Sequence, residues 1–474
     1  MSTYLLAIDG GSQSTKVSVI DEAGTVWASG SSGLRPYELG PGGRAVHPDD
    51  DLWDSLVAAC ASALRAFEGS PREIAGIGLC SIRFCRALLD DTGRLTEPVL
   101  SWMDARVSRP LADVADGVTT VASAGGYLAV RLTGERRDSS ASYQGMWPID
   151  PLAGDWARDD EAFAATGMPR ALLPDLVPPG GLLGHLTPDA AAALGLPAGC
   201  PVFATGNDKA VEALGCGLAD DRTVLLSLGT YIAAMTLGTG IATPDDRYWV
   251  NSAAMPGRFL YESGGIRRGM WTVSWLRQLV TAAVPGPVDE AGIQAWLTDG
   301  AAAVAPGCGG LMTIPDWLAP GHAPWRRGAI LGLDGSHGPH HLYRSILEGI
   351  ALTMRGHLEA MQEALSWPTE HLVVAGGGAR SDLMMQIVAD VMGRPAQRTA
   401  ICDGAGLGAA ICAAVGLGVH PDFETAMAAM VRPGPLFEPA AEAQARYEVV
   451  MAAYRELPGY TDPMFRRVAE ILGE

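Results

Sequence analysis

Lysine is nearly absent from this chain of 474 residues. Only Lys16 and Lys209 are lysine among its 34 basic residues, so arginine carries almost all of the positive charge. A compact ammonium kept at two places indicates that a forked guanidinium would not serve there. Both lysines are therefore candidate functional residues, with chance placement as the alternative.

Basic charge is also scarce as a whole. Acids outnumber bases 53 to 34, and the formal net charge is −19. Nucleic acids and anionic membranes bind basic surfaces, so neither is expected as the main partner. The composition is typical instead of a protein that binds small molecules.

Long apolar runs and paired cysteine motifs are missing as well. The longest uncharged helical candidate, residues 404–419, is too short and too rich in glycine to span a bilayer. The N-terminus lacks the order of a signal peptide, because Asp9 interrupts the apolar run. Eight cysteines without CxxC spacing predict reduced, buried thiols, so a cytoplasmic protein is expected.

Strand and helix patterns alternate along the chain and predict an α/β fold of more than one domain. The segment "AIDGGS" (Ala7–Ser12) resembles "LLSLGT" (Leu225–Thr230), about 218 residues later. Each follows an apolar strand and opens a second one, so the repeat predicts duplicated halves that each present a polar hairpin turn. Residues 172–201, rich in proline and glycine, are predicted to be surface loops.

The opening hairpin has two interpretations. Its turn could wrap a phosphate with N–H groups while Asp9 holds a divalent cation. Alternatively it is an ordinary hairpin in which Gly10 and Gly11 only supply positive φ. Asp208 is equally ambiguous, since it follows a strand and opens a helix, where it could be a functional carboxylate or only a helix cap.

Five segments in order resemble the FGGY carbohydrate kinases, which include glycerol kinase and xylulokinase. They are "AIDGGSQSTKVSVID", "ATGNDKAVEALGCG", "LLSLGTYIAAM", "GCGGLMTIPDWLAPGHAPWRRGAILGL" and "VVAGGGARSDLMMQIVADVMGRPA". The resemblance implies two ribonuclease-H-like domains of the actin/hexokinase type with an interdomain cleft. It also implies transfer of the γ-phosphate of ATP, with Mg²⁺, to a small sugar, polyol or sugar acid, and it leaves a homodimer open.

The same resemblance implies roles for particular residues. Asp9 would position Mg²⁺ and Asp208 would be the catalytic base. The implied nucleotide-binding residues are Gly11, Ser12, Ser14 and Lys16 in a first phosphate turn, Gly229 and Thr230 in a second, and Gly377, Gly378 and Ala379 at the adenosine. The implied acceptor-binding residues are Arg83, Trp102, Asp104, Tyr127, Asp208 and Lys209. The implied domains are 1–218, with the acceptor site, first turn and base, and 219–474, with the second turn and the adenosine site.

Three departures from the family pattern affect the acceptor. Phe84 replaces a polar residue, the chain between Arg109 and Tyr127 is short, and Lys209 follows the proposed base. The short segment implies a remodelled substrate wall. Phe84 and Lys209, together with Arg83 on the matched sugar-binding strand, favour an anionic acceptor such as a sugar acid, unless Lys209 has an internal partner in Asp208 or Glu212. The rival function is a non-catalytic, nucleotide-dependent sugar sensor or actin-like protein with the same fold.

Overall fold

Two sheets built around similar hairpins organise the molecule. The computed structural model describes residues 3–112, 114–241, 245–283, 289–367 and 369–473. Up to residue 218 the described elements are β1 (Tyr4–Gly10), β2 (Ser14–Asp21), β3 (Val26–Gly33), β4 (Glu38–Gly40), β5 (Arg44–Val46), α1 (Asp51–Ala66), β6 (Ile74–Ser81), β7 (Ala87–Leu89), β8 (Thr120–Ala122), α2 (Ala124–Thr133), β9 (Arg137–Ser139), β10 (Ile149–Asp150), β11 (Asp155–Trp156), α3 (Asp160–Thr166), β12 (Asp175–Val177), β13 (Leu182–His185), α4 (Pro188–Leu194), β14 (Pro201–Asn207) and α5 (Asp208–Gly215).

The remaining described elements form a second sheet and its helices. They are β15 (Thr223–Leu228), β16 (Ile232–Gly238), β17 (Tyr248–Ser252), β18 (Phe259–Ser263), α6 (Gly269–Ala282), α7 (Glu290–Ala302), β19 (Met312–Ile314), β20 (Ala329–Leu331), α8 (Pro339–Leu365), β21 (His371–Ala375), α9 (Asp382–Met392), β22 (Ala396–Thr399), α10 (Gly404–Gly416), α11 (Phe423–Met430), β23 (Pro433–Phe437) and α12 (Ala441–Leu472).

The predicted repeat is confirmed by the strand order. The first sheet runs β13-β14-β6-β1-β2-β3 and the second runs β17-β18-β16-β15-β21-β22-β23. In the first, β1 is antiparallel to β2 and parallel to β6; in the second, β15 is antiparallel to β16 and parallel to β21. Each hairpin therefore begins with a central strand and turns at the carboxyl end of a parallel pair, where ligands of α/β proteins bind.

Alternate residues of β1 face two different cores, as the side-chain period of a strand requires. Leu6 and Ile8 pack with side chains of α1, α2 and α4. Leu5 and Ala7 pack on the opposite face with side chains of α5, α10 and α11. The same second core contains Leu225 of β15, so one layer of helices is shared by both sheets.

Helices α5 and α10 cross closely in this shared layer because glycines line the contact. A Cβ atom at Gly215 would collide with the carbonyl oxygen of Gly404, and one at Gly408 would collide with that of Val211. Only glycine allows two backbones to approach this closely. The helices that begin at Asp208 and Gly404 are therefore held at fixed positions between the two sheets.

One expectation about the fold is wrong. Residues 172–201 contain β12, β13 and α4 rather than loops alone. Thr187 caps α4 by accepting a hydrogen bond from the Ala190 N–H, and Pro188 occupies the first helical turn, where proline is tolerated. The eight cysteines are free thiols, as predicted. Within the described ranges, every helix is too short or too polar to cross a bilayer.

Candidate active site

The first hairpin places an acid and a base side by side at its open end. Asp9 of β1 pairs in register with Lys16 of β2, and their side chains lie 3.9 Å apart. Lys16 also forms a 3.0 Å ion pair with Asp403, the residue before α10. Burial, followed by repulsion from Asp403, raises the pKa of Asp9 to about 7. A carboxylate in this position gains stability from any further cation that reaches it.

The turns of the two hairpins face each other. In the first turn, the Gly11 N–H donates to the carbonyl of Ser14 (3.1 Å). The Gln13 side chain reaches Thr230 Oγ1 of the second turn at 3.5 Å. This contact joins residues more than 200 positions apart, so the structure brings the predicted phosphate turns together, as the repeat suggested.

The glycine turn after β21 packs directly against the second hairpin. A Cβ atom at Gly376 would lie 2.7 Å from the backbone of Leu228, and one at Gly378 would lie 2.8 Å from the sulfur of Met270 in α6. Gly377 instead faces open space. The residues predicted to contact adenosine are therefore next to Gly229, and a cleft of about 570 Å³ lies between Arg380 and the first hairpin.

Asp208 begins α5 but does not cap it. The side chain of Asn207 caps the helix by accepting the Ala210 N–H at 3.1 Å, so the alternative that Asp208 is only a cap is wrong. Asp208 Oδ1 is buried without a hydrogen-bond partner in the described part of the chain. Burial raises the pKa of Asp208, and Arg83 and Lys209 partly oppose the rise. The Asp208 side chain as a whole is 30% exposed, so its carboxylate can accept a proton from a bound hydroxyl.

Lys209 has internal partners. Its Nζ lies 2.8 Å from Glu212 Oε2 and 2.8 Å from Ser227 Oγ, and the Ser227 hydroxyl donates to Glu212 Oε1 at 2.7 Å. The Lys209 and Glu212 side chains are only 12% and 13% exposed. The ring of three groups joins α5 to β15, at the base of the second hairpin, and it satisfies the lysine charge inside the protein.

Arg83 lies close to Asp208 and is bound to the second sheet. Its guanidinium forms two hydrogen bonds, of 2.7 and 2.8 Å, with the carboxylate of Glu262 in β18. Asn251 of β17 donates to the same carboxylate at 3.3 Å. Glu262 did not emerge from the sequence. The available signal was a single acid inside the apolar strand "FLYES".

A cavity of about 730 Å³ opens beside this group. Trp102 contributes one wall from the first half of the chain. Tyr231, Trp249 and Glu262 line it from the second half. Aromatic walls with a few convergent polar groups are typical of sites for small ligands.

Of the six predicted acceptor residues, Trp102 lines this cavity and the other five do not: Arg83, Asp104, Tyr127, Asp208 and Lys209. Asp104 is buried and accepts hydrogen bonds from the Ala45 N–H and the Arg106 guanidinium. The buried Tyr127 donates its hydroxyl to Asp50 at the start of α1. Both side chains are therefore engaged in contacts within the first half.

The segment His337–His341 contains three histidines, which are possible metal ligands. His337 contacts the carbonyl of Cys308, and His340 stacks on Trp296. Among the residues that the structure describes, no group of three or more His, Cys, Asp or Glu side chains could hold a metal ion. A metal bound by one carboxylate together with substrate phosphates does not need such a group.

Comparisons with known proteins extend over almost the whole chain. Residues 4–117 and 111–215 match the N-terminal domain of the FGGY family of carbohydrate kinases, and residues 224–417 match its C-terminal domain. An uncharacterized sugar kinase of Escherichia coli (strain K12) is 43% identical over 99% of this chain and 96% of its own. The xylulose kinase of Lactococcus lactis subsp. lactis (strain IL1403) is 24% identical over 100% of both chains. The crystal structure of xylulose kinase from Rhodospirillum rubrum has a TM-score of 0.82 at 26% identity and covers 98% of this chain and 100% of its own.

Proposed function

This chain belongs to the FGGY family of carbohydrate kinases, and we propose that Asp208 is the base with which it phosphorylates a neutral sugar or polyol. As a member of this family it is an ATP-dependent kinase of sugar-like substrates. The observation that carries the proposal is the Asp208 carboxylate, whose Oδ1 has no hydrogen-bond partner in the described part of the chain and whose side chain is 30% exposed. It lies 3.9 Å from Arg83, which binds Glu262 in the cavity wall. The rival sensor function is not favoured, because a sensor needs no base at an acceptor hydroxyl.

The proposed reaction moves one proton and one phosphoryl group. The acceptor hydroxyl donates its proton to the Asp208 carboxylate as its oxygen bonds to the γ-phosphorus, and the bond from that phosphorus to the β-phosphate oxygen breaks to release ADP. Phosphoryl transfer passes through a loose transition state, so alignment and charge neutralisation do most of the work. A raised pKa suits Asp208 for accepting this proton.

The two hairpin turns would hold the phosphates. Their backbone N–H groups, with the hydroxyls of Ser12, Ser14 and Thr230, are suitable donors, and Lys16 supplies positive charge. Gly377, Gly378 and Ala379 would support the adenosine. Mg²⁺ would be held by Asp9 and would neutralise charge on the phosphates. The crowding of Asp9 with Asp403, which raises the Asp9 pKa, fits a site for a hard cation with oxygen ligands.

The charges around Asp208 favour a neutral acceptor over a sugar acid. The charge of Arg83 is balanced by Glu262, and that of Lys209 by Glu212. The charge that remains is that of Asp208 itself, which would repel an acceptor carboxylate. A sugar acid was expected unless Lys209 had an internal partner, and Glu212 is that partner. Arg83, the other cation expected to favour a sugar acid, is paired with Glu262.

The test is ADP release from ATP and Mg²⁺ with paired acceptors: polyols and ketoses against the aldonates of the same chain length. Neutral acceptors should have the higher kcat/KM.

Asp208→Asn should lower kcat by roughly 10²-fold or more while leaving ATP affinity intact, because a general base contributes about that much. Asp160→Asn is the matched control, since Asp160 also begins a helix directly after its cap but is fully exposed. Preferred turnover of aldonates, or full activity of Asp208→Asn, would contradict the proposal.

A further inference from the structure

An ion pair between Arg83 and Glu262 connects the two halves of the chain beside the proposed base. Arg83 follows β6 of the first sheet, and Glu262 lies in β18 of the second. Both are buried, and Glu262 has no exposed surface. Two fork-like hydrogen bonds, of 2.7 and 2.8 Å, fix the guanidinium plane. A buried pair of this kind orients its members more reliably than it stabilises the fold.

Aromatic rings from both halves hold the same guanidinium. Its carbon lies 5.3 Å from the centre of the Phe84 ring and 5.1 Å from that of Trp249 in β17. Phe84 has φ of +64°, a left-handed backbone that is unfavourable for a bulky residue and persists only where the surroundings impose it. The chain therefore keeps a strained backbone at the residue that places a ring on Arg83.

The position of Arg83 determines what Asp208 can do. Both terminal nitrogens of the guanidinium are occupied by Glu262, and its Nε lies 3.9 Å from Asp208 Oδ1. That distance is too long for a hydrogen bond. Without Glu262, Asp208 would be the nearest carboxylate to Arg83, and a movement of about 1 Å would join them. The base oxygen would then be occupied.

We propose that Glu262 is a positioning residue for phosphoryl transfer, which holds Arg83 away from Asp208 and so leaves the Asp208 carboxylate free to act as the base. This inference rests on the proposed role of Asp208. Glu262 and Trp249 come from the second half of the chain, whereas Asp208 and Arg83 come from the first. The contacts that keep Arg83 away from the base therefore depend on how the two halves of the chain pack against each other.

Loss of the Glu262 charge should lower the pKa of Asp208. Two cations act on Asp208: Arg83, which follows β6, and Lys209 of α5. Two acids also act on it, Glu212 of α5 and Glu262 of β18, and Asp9 of β1 interacts with it as well. Glu262 raises the pKa of Asp208 and Arg83 lowers it. Removing the charge of Glu262 and releasing Arg83 both lower this pKa. The acid limb of the pH profile of kcat/KM should therefore move to lower pH.

The test is Glu262→Gln, which keeps the shape of the side chain and removes its charge. We expect kcat to fall about tenfold or more, the KM for ATP to change less than about twofold, and the acid limb to move to lower pH. Glu348→Gln is the matched control, because Glu348 forms an equally buried 2.7 Å pair with Arg344 inside the second half. It should lower stability without moving the limb. An unmoved limb in Glu262→Gln would overturn the inference.

A second variant and a second readout separate this inference from the proposed function. Trp249→Leu removes one of the two aromatic rings that hold the Arg83 guanidinium, and this ring is 42% exposed. We expect the acid limb to move in the same direction as in Glu262→Gln, but by less. The pKa of Asp208, followed by ¹³C NMR of aspartate-labelled protein with Asp208→Asn for assignment, should fall in Glu262→Gln without any substrate. If this pKa is unchanged, the role of Glu262 is wrong. If this pKa falls but the parent protein phosphorylates no acceptor, the proposed function is wrong.

Discussion

The two hairpins share a topology but not a chemistry. The first has Asp9 paired in register with Lys16, whereas the second has Ser227 paired with Ala233. In the repeat Ser227 occupies the position of Asp9. The duplicated backbone therefore preserves two turns that can bind phosphates, and the charged pair that would serve a cation is confined to the first.

A helix start from the other half of the chain contacts each hairpin. Lys16 on the first hairpin binds Asp403, just before α10, and Ser227 on the second binds Lys209, in the first turn of α5. The two lysines of the chain are therefore the two residues that join the halves at these points. An ammonium, with several donors on a thin stem, can reach partners in different directions, which is a reason for avoiding arginine here.

Removing the polar group at each of these two equivalent positions should give the largest difference in kcat. Asp9→Asn should lower kcat by roughly 10³-fold, because it removes the charge that would hold Mg²⁺ at the phosphates. Ser227→Ala should lower it less than about tenfold, since it removes one hydrogen bond from the Lys209 ring. Turnover measured across a Mg²⁺ titration checks both. Equal effects of the two variants would show that the hairpins are chemically equivalent. An unchanged Mg²⁺ titration for Asp9→Asn would contradict the proposed role of Asp9 at the metal.

The contact at the second hairpin is expected to matter for stability. Lys209→Met leaves Glu212 buried without its cation and should lower the free energy of unfolding by about 3 kcal/mol. The double variant Lys209→Met with Glu212→Leu should recover most of this loss, because no charge is left unpaired. Arg467→Met, at an exposed pair with Glu470, should cost less than about 1 kcal/mol. Denaturant unfolding measures all three; a double variant no more stable than the single one would contradict the account.

Much of this arrangement could be predicted from local sequence. An apolar strand, a short polar turn and a second apolar strand predicted both hairpins, and the repeat predicted that each half would present one such turn. The scarcity of lysine drew attention to Lys16 and Lys209, both of which bind partners distant in the chain or on another element, and their functional roles stay predictions. Residues 172–201 were misjudged because proline and glycine there separate short elements instead of forming one long loop.

The partners of the site residues could not be predicted in the same way. Glu262, Asp403 and Ser227 reach the site from strands or helices distant in the chain, so their roles depend on how the sheets pack. Asp104 and Tyr127 were assigned by resemblance within single segments, yet their side chains are bound to neighbours in the first half. A motif identifies a segment, but the direction of each side chain depends on packing.

The helix layer between the hairpins offers a smaller test. Gly215→Ala forces a methyl group against the backbone of α10 and should destabilise the protein by about 1–3 kcal/mol. Gly406→Ala, in α10 but facing open space, should be neutral or stabilising by up to about 1 kcal/mol. Thermal unfolding compares the pair. Equal melting temperatures would mean that the crossing of α5 and α10 does not need close backbone contact.

The smallest effect is expected where the hairpin turns touch. Gln13 Nε2 lies 3.5 Å from Thr230 Oγ1, a separation at the limit of a hydrogen bond, so Gln13→Ala should cost less than about 0.5 kcal/mol and change the KM for ATP less than about twofold. Thr230→Val removes the same contact and also a proposed phosphate ligand, and it should raise that KM about tenfold, as losing a hydrogen bond to a charged group does. ATP should stabilise Gln13→Ala as much as the parent in thermal unfolding with and without nucleotide. If Gln13→Ala raises the KM for ATP as much as Thr230→Val does, the two turns are held together by their own contact. If it raises the KM much less, the phosphates that both turns bind hold them together.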